Sequence, residues 1–594
     1  MDDQTDVKLR KKTLQFLGIG GDAKTTKHSK NTSHASRPVS RGPTMQVFPR
    51  GCTPVKPKAL ETMLHHHGYD PVLTNFLVRG FTDGFKLQLD KPVSQITAMM
   101  SKCPFQRPLK NHASATSHKD TVEEKLQKEK KAGRMIGPFM VPPFPNFCLS
   151  PLGVRRKKEL NKFRVIHDLS YPKEGISVNS NIPESQGTVT YADIPTAVSL
   201  IQSIGKGAVL SKTDVEHAYK LLPIHKDDIP ALGILWDGKY FFDCTLPMGC
   251  RTGCMLFERF STALEFIAKQ EGCDKICHVL DDFLIVTPSE QEARKQLTLF
   301  QQLYHKLGVP LAEEKTETNT KLIFLGIELD TIAMEARLPQ DKLARCRSLT
   351  TKYQKLRKIT VKKLESLTGI LNFACGVVTP GRPFMRRLYQ RLWGVQRRIP
   401  HHRVRLTKGA REDLKMWSQF FKDYNGITMF LPNAWSDQDS LHFYTDAART
   451  IGFGIVFGTK YAFDVWPKEW KDFNIALLEF YPIVVAFKMF GESIQNKRVL
   501  LHIDNQAVVH IINKQTSKDP YIMVLVRELV LTILKLNVEV RAEYISTKEN
   551  FLADFLSRQQ VQEFRSRFPE AEEVPTCIPE YLLPHNFNIT YNAF

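Results

Sequence analysis

Residues 276–286, ICHVLDDFLIV, form an apolar run interrupted at its centre by two adjacent acids, Asp281 and Asp282. Such a run reads as β-structure, and two carboxylates inside it are costly to bury without cations. Neighbouring side chains on a straight strand point to opposite faces, so the pair is expected at a hairpin tip. Small hard cations such as Mg2+ take oxygen ligands, and carboxylates on rigid strand ends supply them. A third acid, Asp214, closes another strand-like run, KGAVLSKTD. For the Asp pair alone, a solvated turn that happens to carry two acids is an equal alternative.

The remaining chain bounds what such a site could serve. At 594 residues it is long enough for several domains. Lys and Arg outnumber Asp and Glu by 83 to 62, and a formal charge of +21 points to a polyanion, nucleic acid first. The first sixty residues hold twelve Lys or Arg against four Asp, with much Ser, Thr, Gly and Pro, and read as a disordered basic arm. Arg382 to Lys408 carries eight Arg, one Lys and no acid, which favours phosphate contact over a merely solvated face. No run of about eighteen apolar residues is present, so no membrane span is expected. Eleven scattered cysteines suggest reduced thiols in an intracellular protein, cytoplasmic or nuclear. Cys250/Cys254, Cys273/Cys277 and the triplet His65–His67 do not have the commonest zinc spacing or nearby partner ligands.

From Ser150 onward strands and helices alternate. Ser289 and Glu292 form a capping box for a helix with apolar positions at Ala293, Leu297, Phe300, Tyr304 and Leu307, stopped by Gly308. Two further helices are read in KLARCRSLTTKYQKLRK and VKKLESLTGILNFA. The C-terminal part gives the order β-β-β-α-β-α-α-β-α from LHFYTDAA to the helix around Asp554.

Motif by motif, the central stretch resembles the reverse transcriptase family. LSKTDVEHAY is similar to the first palm motif, TLPMGCRTGCMLFERF to the second, and VLDDFLIV to the x-x-Asp-Asp box. KLGVPLAEEKT resembles the motif with a late lysine, Lys315, and KLIFLGIEL the primer-gripping hairpin around Phe324-Leu325-Gly326. KKELNKFRVIHDLS resembles the fingers strand. The resemblance implies Asp214, Asp281 and Asp282 as catalytic metal ligands. It further implies Lys158, Arg164 and Lys315 at the nucleotide triphosphate, and Tyr219 as a steric gate against the ribose 2′-hydroxyl. Without that context Tyr219 is an ordinary core aromatic. Met248 stands where retroviral enzymes commonly have glutamine, so a polar contact to nucleotide and template is lost, whereas Gly249 is intact.

The C-terminal stretch resembles the ribonuclease H family, with Asp446 in FYTDAA, Glu479 in ALLEFYP, Asp504 in LLHIDN and Asp554 in ENFLADFLSR. The resemblance implies that these four carboxylates are catalytic and bind metal. Two departures stand out. YISTKEN occupies the place where many members carry a histidine before the last Asp. Pro482 is expected to kink or delay the helix that presents Glu479.

The implied architecture is α+β and α/β, a right-hand polymerase of fingers, palm and thumb followed by a ribonuclease H-like domain. Its divisions are a basic, largely disordered arm and extension (1–120), fingers and palm (121–335), a basic helical thumb or connection (336–435), the ribonuclease H-like domain (436–562) and a tail (563–594). The implied function is RNA-directed DNA synthesis by two-metal nucleotidyl transfer, with degradation of RNA in hybrids. It uses two Mg2+ ions per site, or Mn2+ in their place. The implied partners are an RNA template, a DNA primer, RNA/DNA hybrid and deoxynucleoside triphosphates. GPFMVPPFPNFCLSPLG, LPMGC and LTGILNFACGVVTPGRPF resemble the DIRS/Ngaro retrotransposons. That resemblance implies integration by a tyrosine recombinase, encoded elsewhere or lost here, with it or other retroelement proteins as partners; the sequence shows no Asp-Thr/Ser-Gly protease motif and no integrase zinc region. The rival readings are a retroelement-derived protein that binds nucleic acid without catalysis, and a packaging protein built on the basic arm.

Overall fold

The structure is a computed structural model that describes residues 51–106, 109–157, 162–393, 395, 399, 401–423, 427–430, 435–436, 441–587 and 589. The basic arm lies outside these residues as far as residue 50, and so does Lys158.

The described chain opens with three helices, α1 (Pro57–His66), α2 (Pro71–Asp83) and α3 (Val93–Lys102). This departs from an arm that stays disordered to residue 120. Asp70 caps α2, its carboxylate accepting from the amides of Val72 and Leu73 at 2.8 and 2.9 Å, and Pro71 sets the first helical φ. Leu60, Leu64, Leu77 and Phe81 recur at helical spacing and are fully buried. They share a core with Phe257 and Phe260 of a palm helix, with the Phe81 and Phe260 rings 4.7 Å apart. Averaging composition over a basic, polar leader hid these apolar stripes, whose burial partner lies about two hundred residues downstream.

Helix α4 (Lys119–Lys131) leads into β1 (Met135–Phe139), β2 (Leu152–Arg156) and β3 (Phe163–His167), and β2 and β3 pair as an antiparallel hairpin. Then follow α5 (Ile194–Ile204), β4 (Val209–Asp214), β5 (Gly233–Trp236), β6 (Lys239–Asp243), α6 (Gly253–Gln270), β7 (Ile276–Val279), β8 (Asp282–Thr287) and α7 (Glu290–Leu307). Helix α7 has the expected ends: Ser289 Oγ accepts from the Glu292 amide at 3.2 Å, and Gly308 takes a left-handed conformation with φ 74°. The palm sheet has the order β7-β8-β4-β9, with β9 at Glu317–Asn319, and β6 lies between β1 and β5 in a second sheet. A third sheet joins β10 (Lys321–Phe324), β11 (Ile327–Asp330) and β12 (Glu335–Arg337) to a strand at Ile427–Met429.

The stretch expected to be a basic helical thumb or connection contains α8 (Gln340–Tyr353), α9 (Val361–Ala374), the short α10 (Arg386–Gln390) and α11 (Lys408–Asp423). Here the structure takes two cations of the arginine run, Arg386 and Arg387, out of the expected phosphate contacts, while Arg397 and Arg398 lie outside the described residues. Arg386 donates to Thr516 Oγ1 at 3.0 Å and to the Ser517 carbonyl. Arg387 is buried and pairs with Asp413 at 3.2 Å. The same Asp413 oxygen lies 3.7 Å from buried Arg527, which belongs to the C-terminal domain. A run of cations in sequence does not show that their counter-charges lie far along the chain. Removing the central acid would take from two buried guanidinium groups the carboxylate they share. Asp413→Ala is therefore expected to destabilise the protein by about 3–5 kcal/mol, measured as a shift in the denaturant midpoint. A loss below about 1 kcal/mol would show the cluster to be energetically idle.

The C-terminal domain contains β17 (Phe443–Ala447), β18 (Gly452–Phe457), β19 (Lys460–Val465), α12 (Ile475–Phe490), β20 (Arg498–Ile503), α13 (Gln506–Lys514), α14 (Pro520–Lys535), β21 (Glu539–Tyr544) and α15 (Phe551–Ser557). This is the expected order. An additional short strand at Trp435–Ser436 pairs parallel to β20, which pairs parallel to β21, while β17-β18-β19 are antiparallel. Helix α12 starts at Ile475 and runs through Pro482 without a break, so the expected delay does not occur. Its first turn is secured instead by Asn474, whose Oδ1 accepts from the Ala476 amide at 2.9 Å. The described part of the tail packs back on this domain. After α16 (Val561–Arg567), the Thr576 amide donates to the Tyr461 carbonyl at 2.7 Å. Leu582 is fully buried, and its carbonyl accepts from the Tyr481 hydroxyl of α12.

Candidate active sites

The palm hairpin sets the first site. Asp214 at the end of β4 is opposite Asp282 at the start of β8, and β7 rejoins β8 with Val279 opposite Asp282. Between them the chain turns at Leu280, whose φ of 55° is left-handed, and at Asp281. The Val215 amide donates to the Asp281 carbonyl at 3.0 Å, tying the tip to the end of β4. Three carboxylates thus meet at the strand ends, as the hairpin argument requires. Burial, then the nearby charges of Asp214 and Asp282, push the Asp281 carboxyl up to about 6. Burial likewise raises Asp282. Lys315 Nζ sits 2.8 Å from Asp214 Oδ1.

A cavity of about 480 Å³ opens beside these acids, lined among others by Arg164, Tyr219, Met248 and Lys315. Tyr219 stands on a tight 3-10 turn entered through His217, which has a φ of 58°. Its ring lies 5.6 Å from that of Phe257, and its hydroxyl is 3.2 Å from Cys254 Sγ. Gly253 admits it, since a Cβ there would lie 3.1 Å from Tyr219 Cε1. If the ring occupies the space of a ribose hydroxyl, Tyr219→Ala will raise ribonucleotide use relative to deoxynucleotide use, by about tenfold or more. Steady-state incorporation of the two substrates measures this, and equal selectivity in both proteins would return Tyr219 to the core.

Met248 is 51% exposed at the cavity, with its Sδ 3.3 Å from Arg164 Nη1. Gly249 follows with a φ of 102°, a conformation that a side chain would strain. Sequence reasoning missed the residue that holds this turn. Buried Asn179 donates to the Gly249 carbonyl at 2.9 Å and accepts from the Arg251 amide at 2.9 Å. In VNSNIPES nothing marks it beyond an ordinary turn asparagine.

The second site lies in the C-terminal domain. Asp446, on β17, accepts from Ser557 Oγ of α15 at 2.5 Å. Burial raises its carboxyl to about 6, with Asp504 and Asp554 adding to the shift. Glu479, on the first turns of α12, is pushed further, to about 8, by burial and then by Asp504 and Asp446. Its Oε2 is buried and has no hydrogen-bond partner among the described residues. Asp504 follows β20, raised by burial but eased by hydrogen bonds from Thr547 and Asn550. Asp554 is held by Arg558 at 2.8 Å. Asp504 raises both Asp446 and Glu479, and Asp554 adds to the shifts of Asp446 and Asp504. The segment without the histidine has a use of its own, because YISTKEN supplies Thr547 and fully buried Asn550. Asn550 also bonds the Thr445 carbonyl at 3.0 Å, next to Asp446. Ser557, Asn550 and Arg558 were not legible as site residues.

Both clusters have the chemistry of hard-cation sites: crowded carboxylates, several of them held protonated to higher pH by burial and mutual charge, and one with a buried oxygen that no donor faces. Among the described residues no group of three His, Cys, Asp or Glu is spaced to hold an ion as it stands. Lys315 and Arg558 each take one carboxylate of their cluster instead.

Residues 156–329 match the family model described as reverse transcriptase (RNA-dependent DNA polymerase). The chain thus contains a reverse transcriptase domain of the kind carried by retroelement and viral polyproteins. It is similar to the enzymatic polyprotein of Cassava vein mosaic virus, 20% identical over 432 residues, which cover 68% of this chain and 63% of that protein. It is also similar to the Gag-Pro-Pol polyprotein of Human T-cell leukemia virus 2, 27% identical over 172 residues, or 29% of this chain and 12% of that protein. The chain spans less than two thirds of the length of these curated relatives. Among solved structures it is similar to the foamy viral protease-reverse transcriptase in complex with RNA/DNA hybrid. That match has a TM-score of 0.43 and 14% identity, over 88% of this chain and 64% of the other. The same protein in complex with dsDNA matches with a TM-score of 0.42 and 15% identity, over 82% and 97%. No helix among the described residues is long and apolar enough to cross a membrane.

Proposed function

We propose that this chain synthesises DNA on an RNA or DNA template at the palm site and cleaves the RNA of RNA/DNA hybrids at the C-terminal site. The observation that carries the reading is the register of Asp214 against Asp282, with Asp281 at a left-handed hairpin tip beside a cavity lined by Tyr219, Arg164 and Lys315. Asp214, Asp281 and Asp282 would hold a pair of Mg2+ ions, or Mn2+, as would Asp446, Glu479, Asp504 and Asp554. When bound, such ions neutralise charge that develops at phosphorus and lower the pKa of the attacking hydroxyl or water. Arg164 and Lys315 offer positive charge to a triphosphate, Tyr219 limits the sugar, and the exposed thioether of Met248 offers the base pair no strong hydrogen-bonding group. Ser557, Asn550 and Thr547 orient carboxylates at the nuclease site. Template, primer and hybrid are bound through the chain's positive charge.

The finer assignment is a DIRS/Ngaro-type retrotransposon whose integration is left to a tyrosine recombinase, supported by the wording around the motifs. Action inside the cell, in cytoplasm or nucleus, is supported by eleven free thiols. The direct test is extension of a DNA primer on end-labelled RNA with Mg2+, following the fate of both strands. A chain that binds the primed template but neither extends nor cleaves would be the non-catalytic relative instead.

A further inference from the structure

Behind the Asp281 hairpin lies a group of ionisable side chains that the proposed chemistry does not use. Glu258 and Glu265 stand seven residues apart on α6, two helical turns, and so face the same way. Between them lies His278 of β7, 6% exposed. Its Nδ1 bonds Glu265 Oε2, and its Nε2 lies 3.4 Å from Glu258 Oε1. The imidazole stacks on Phe283 of β8, ring centroids 5.2 Å apart and 22° from parallel. Lys269 Nζ, 2.6 Å from Glu265 Oε1, completes the charge balance. Burial disfavours the imidazolium, but hydrogen bonds and charge from Glu258 and Glu265 outweigh it and hold His278 up to about 9.

The second oxygen of Glu258 does something that an ordinary buried ion pair does not. Glu258 Oε2 accepts from the Leu280 amide at 3.1 Å. Leu280 is the left-handed residue immediately before Asp281, a conformation that a branched side chain adopts only when its surroundings enforce it. Buried charge clusters are often neutral for stability. This one is aimed at a strained backbone amide next to a proposed catalytic acid.

We infer that Glu258, held in place by His278 and Glu265, is a positioning residue that fixes the Leu280 turn and thereby the direction of the Asp281 carboxylate. The inference rests on the polymerase reading of the palm site. Helix α6 thus acts as a brace for the hairpin tip, and the brace sets turnover rather than substrate affinity.

The test uses the full chain, primed RNA, Mg2+ and deoxynucleotides. Glu258→Ala removes the acceptor, and Glu258→Gln keeps a carbonyl oxygen that can accept from the Leu280 amide. The expected result is a fall in kcat of about tenfold or more for Glu258→Ala. The nucleotide KM and the primer–template Kd stay within about twofold, hybrid cleavage is unchanged, and Glu258→Gln recovers most of the loss. Wild-type kcat in Glu258→Ala overturns the inference, and so does equal impairment of both variants with hybrid cleavage intact. If Glu258→Ala loses its folding transition, Glu258→Gln decides alone: folded with near-wild-type kcat supports the brace, folded with a tenfold loss overturns it. A wild-type chain that extends no primer overturns the parent reading, and this one with it.

Discussion

Replacing Asp281 with Asn is expected to abolish nucleotide incorporation while hybrid cleavage continues at close to its wild-type rate. The substitution keeps the shape of the side chain and removes its charge, so the hairpin has no steric reason to refold. What is lost is a hard anionic oxygen at the point where three carboxylates meet. Removing a metal-binding carboxylate from a phosphoryl-transfer site costs far more than a lost hydrogen bond. The floor of the expectation is a hundredfold loss, roughly 2.7 kcal/mol of transition-state stabilisation. Single-nucleotide extension of a primed template, read on a gel, is sufficient. Incorporation above one hundredth of wild type would sink the assignment of Asp281.

The second large effect belongs to Asp504. Asp504→Asn should leave full-length DNA annealed to an uncut RNA template, with synthesis intact. Its charge helps to raise the pKa of both Asp446 and Glu479, so it is electrostatically central to the cluster. A corollary concerns the metal-free protein. A carboxyl whose folded pKa is raised stabilises the fold only while protonated. That contribution is present below the ordinary carboxyl range and is lost as pH rises through the folded value. With Asp446 at about 6 and Glu479 at about 8, the melting temperature in chelator should fall between about pH 5 and about pH 8. Asp504→Asn should soften that fall and Mg2+ should abolish it. End-labelled RNA, free or in a hybrid, and thermal unfolding at several pH values provide the readouts. Wild-type cutting by Asp504→Asn, equal cutting of free RNA, or a flat pH profile would each count against the site.

The carboxylates were readable because acids at strand ends inside apolar runs are costly for folding alone to place there. Periodicity likewise gave α7, with its Ser289 cap and Gly308 stop, and the whole element order of the C-terminal domain. Other features depended on distant partners. The stripe of Leu60, Leu64, Leu77 and Phe81 is half of a core whose other half is α6, so composition over the leader could not reveal it. Arg387 reads as a free cation until Asp413 is found 26 residues away and Arg527 a further 114 beyond. Pro482 was expected to disrupt α12, but with seven helical residues before it and Asn474 capping the start, the helix simply continues. Asn179, Asn550 and Glu258 act by orienting other groups, and a polar residue that does so has no local signature.

The Arg387–Asp413–Arg527 cluster and the Arg386 contacts to Thr516 and Ser517 bear on how this protein can be taken apart. The two proposed activities would each draw on their own acids, which invites treating the proposed nuclease as a detachable module. The seam between connection and nuclease is not built for detachment. A cut there would part Arg527 from Asp413 and bare a buried aspartate in one fragment. Grafting this nuclease onto a foreign polymerase would therefore require grafting α10 and α11 with it. The unit that can be exchanged is larger than the unit that catalyses.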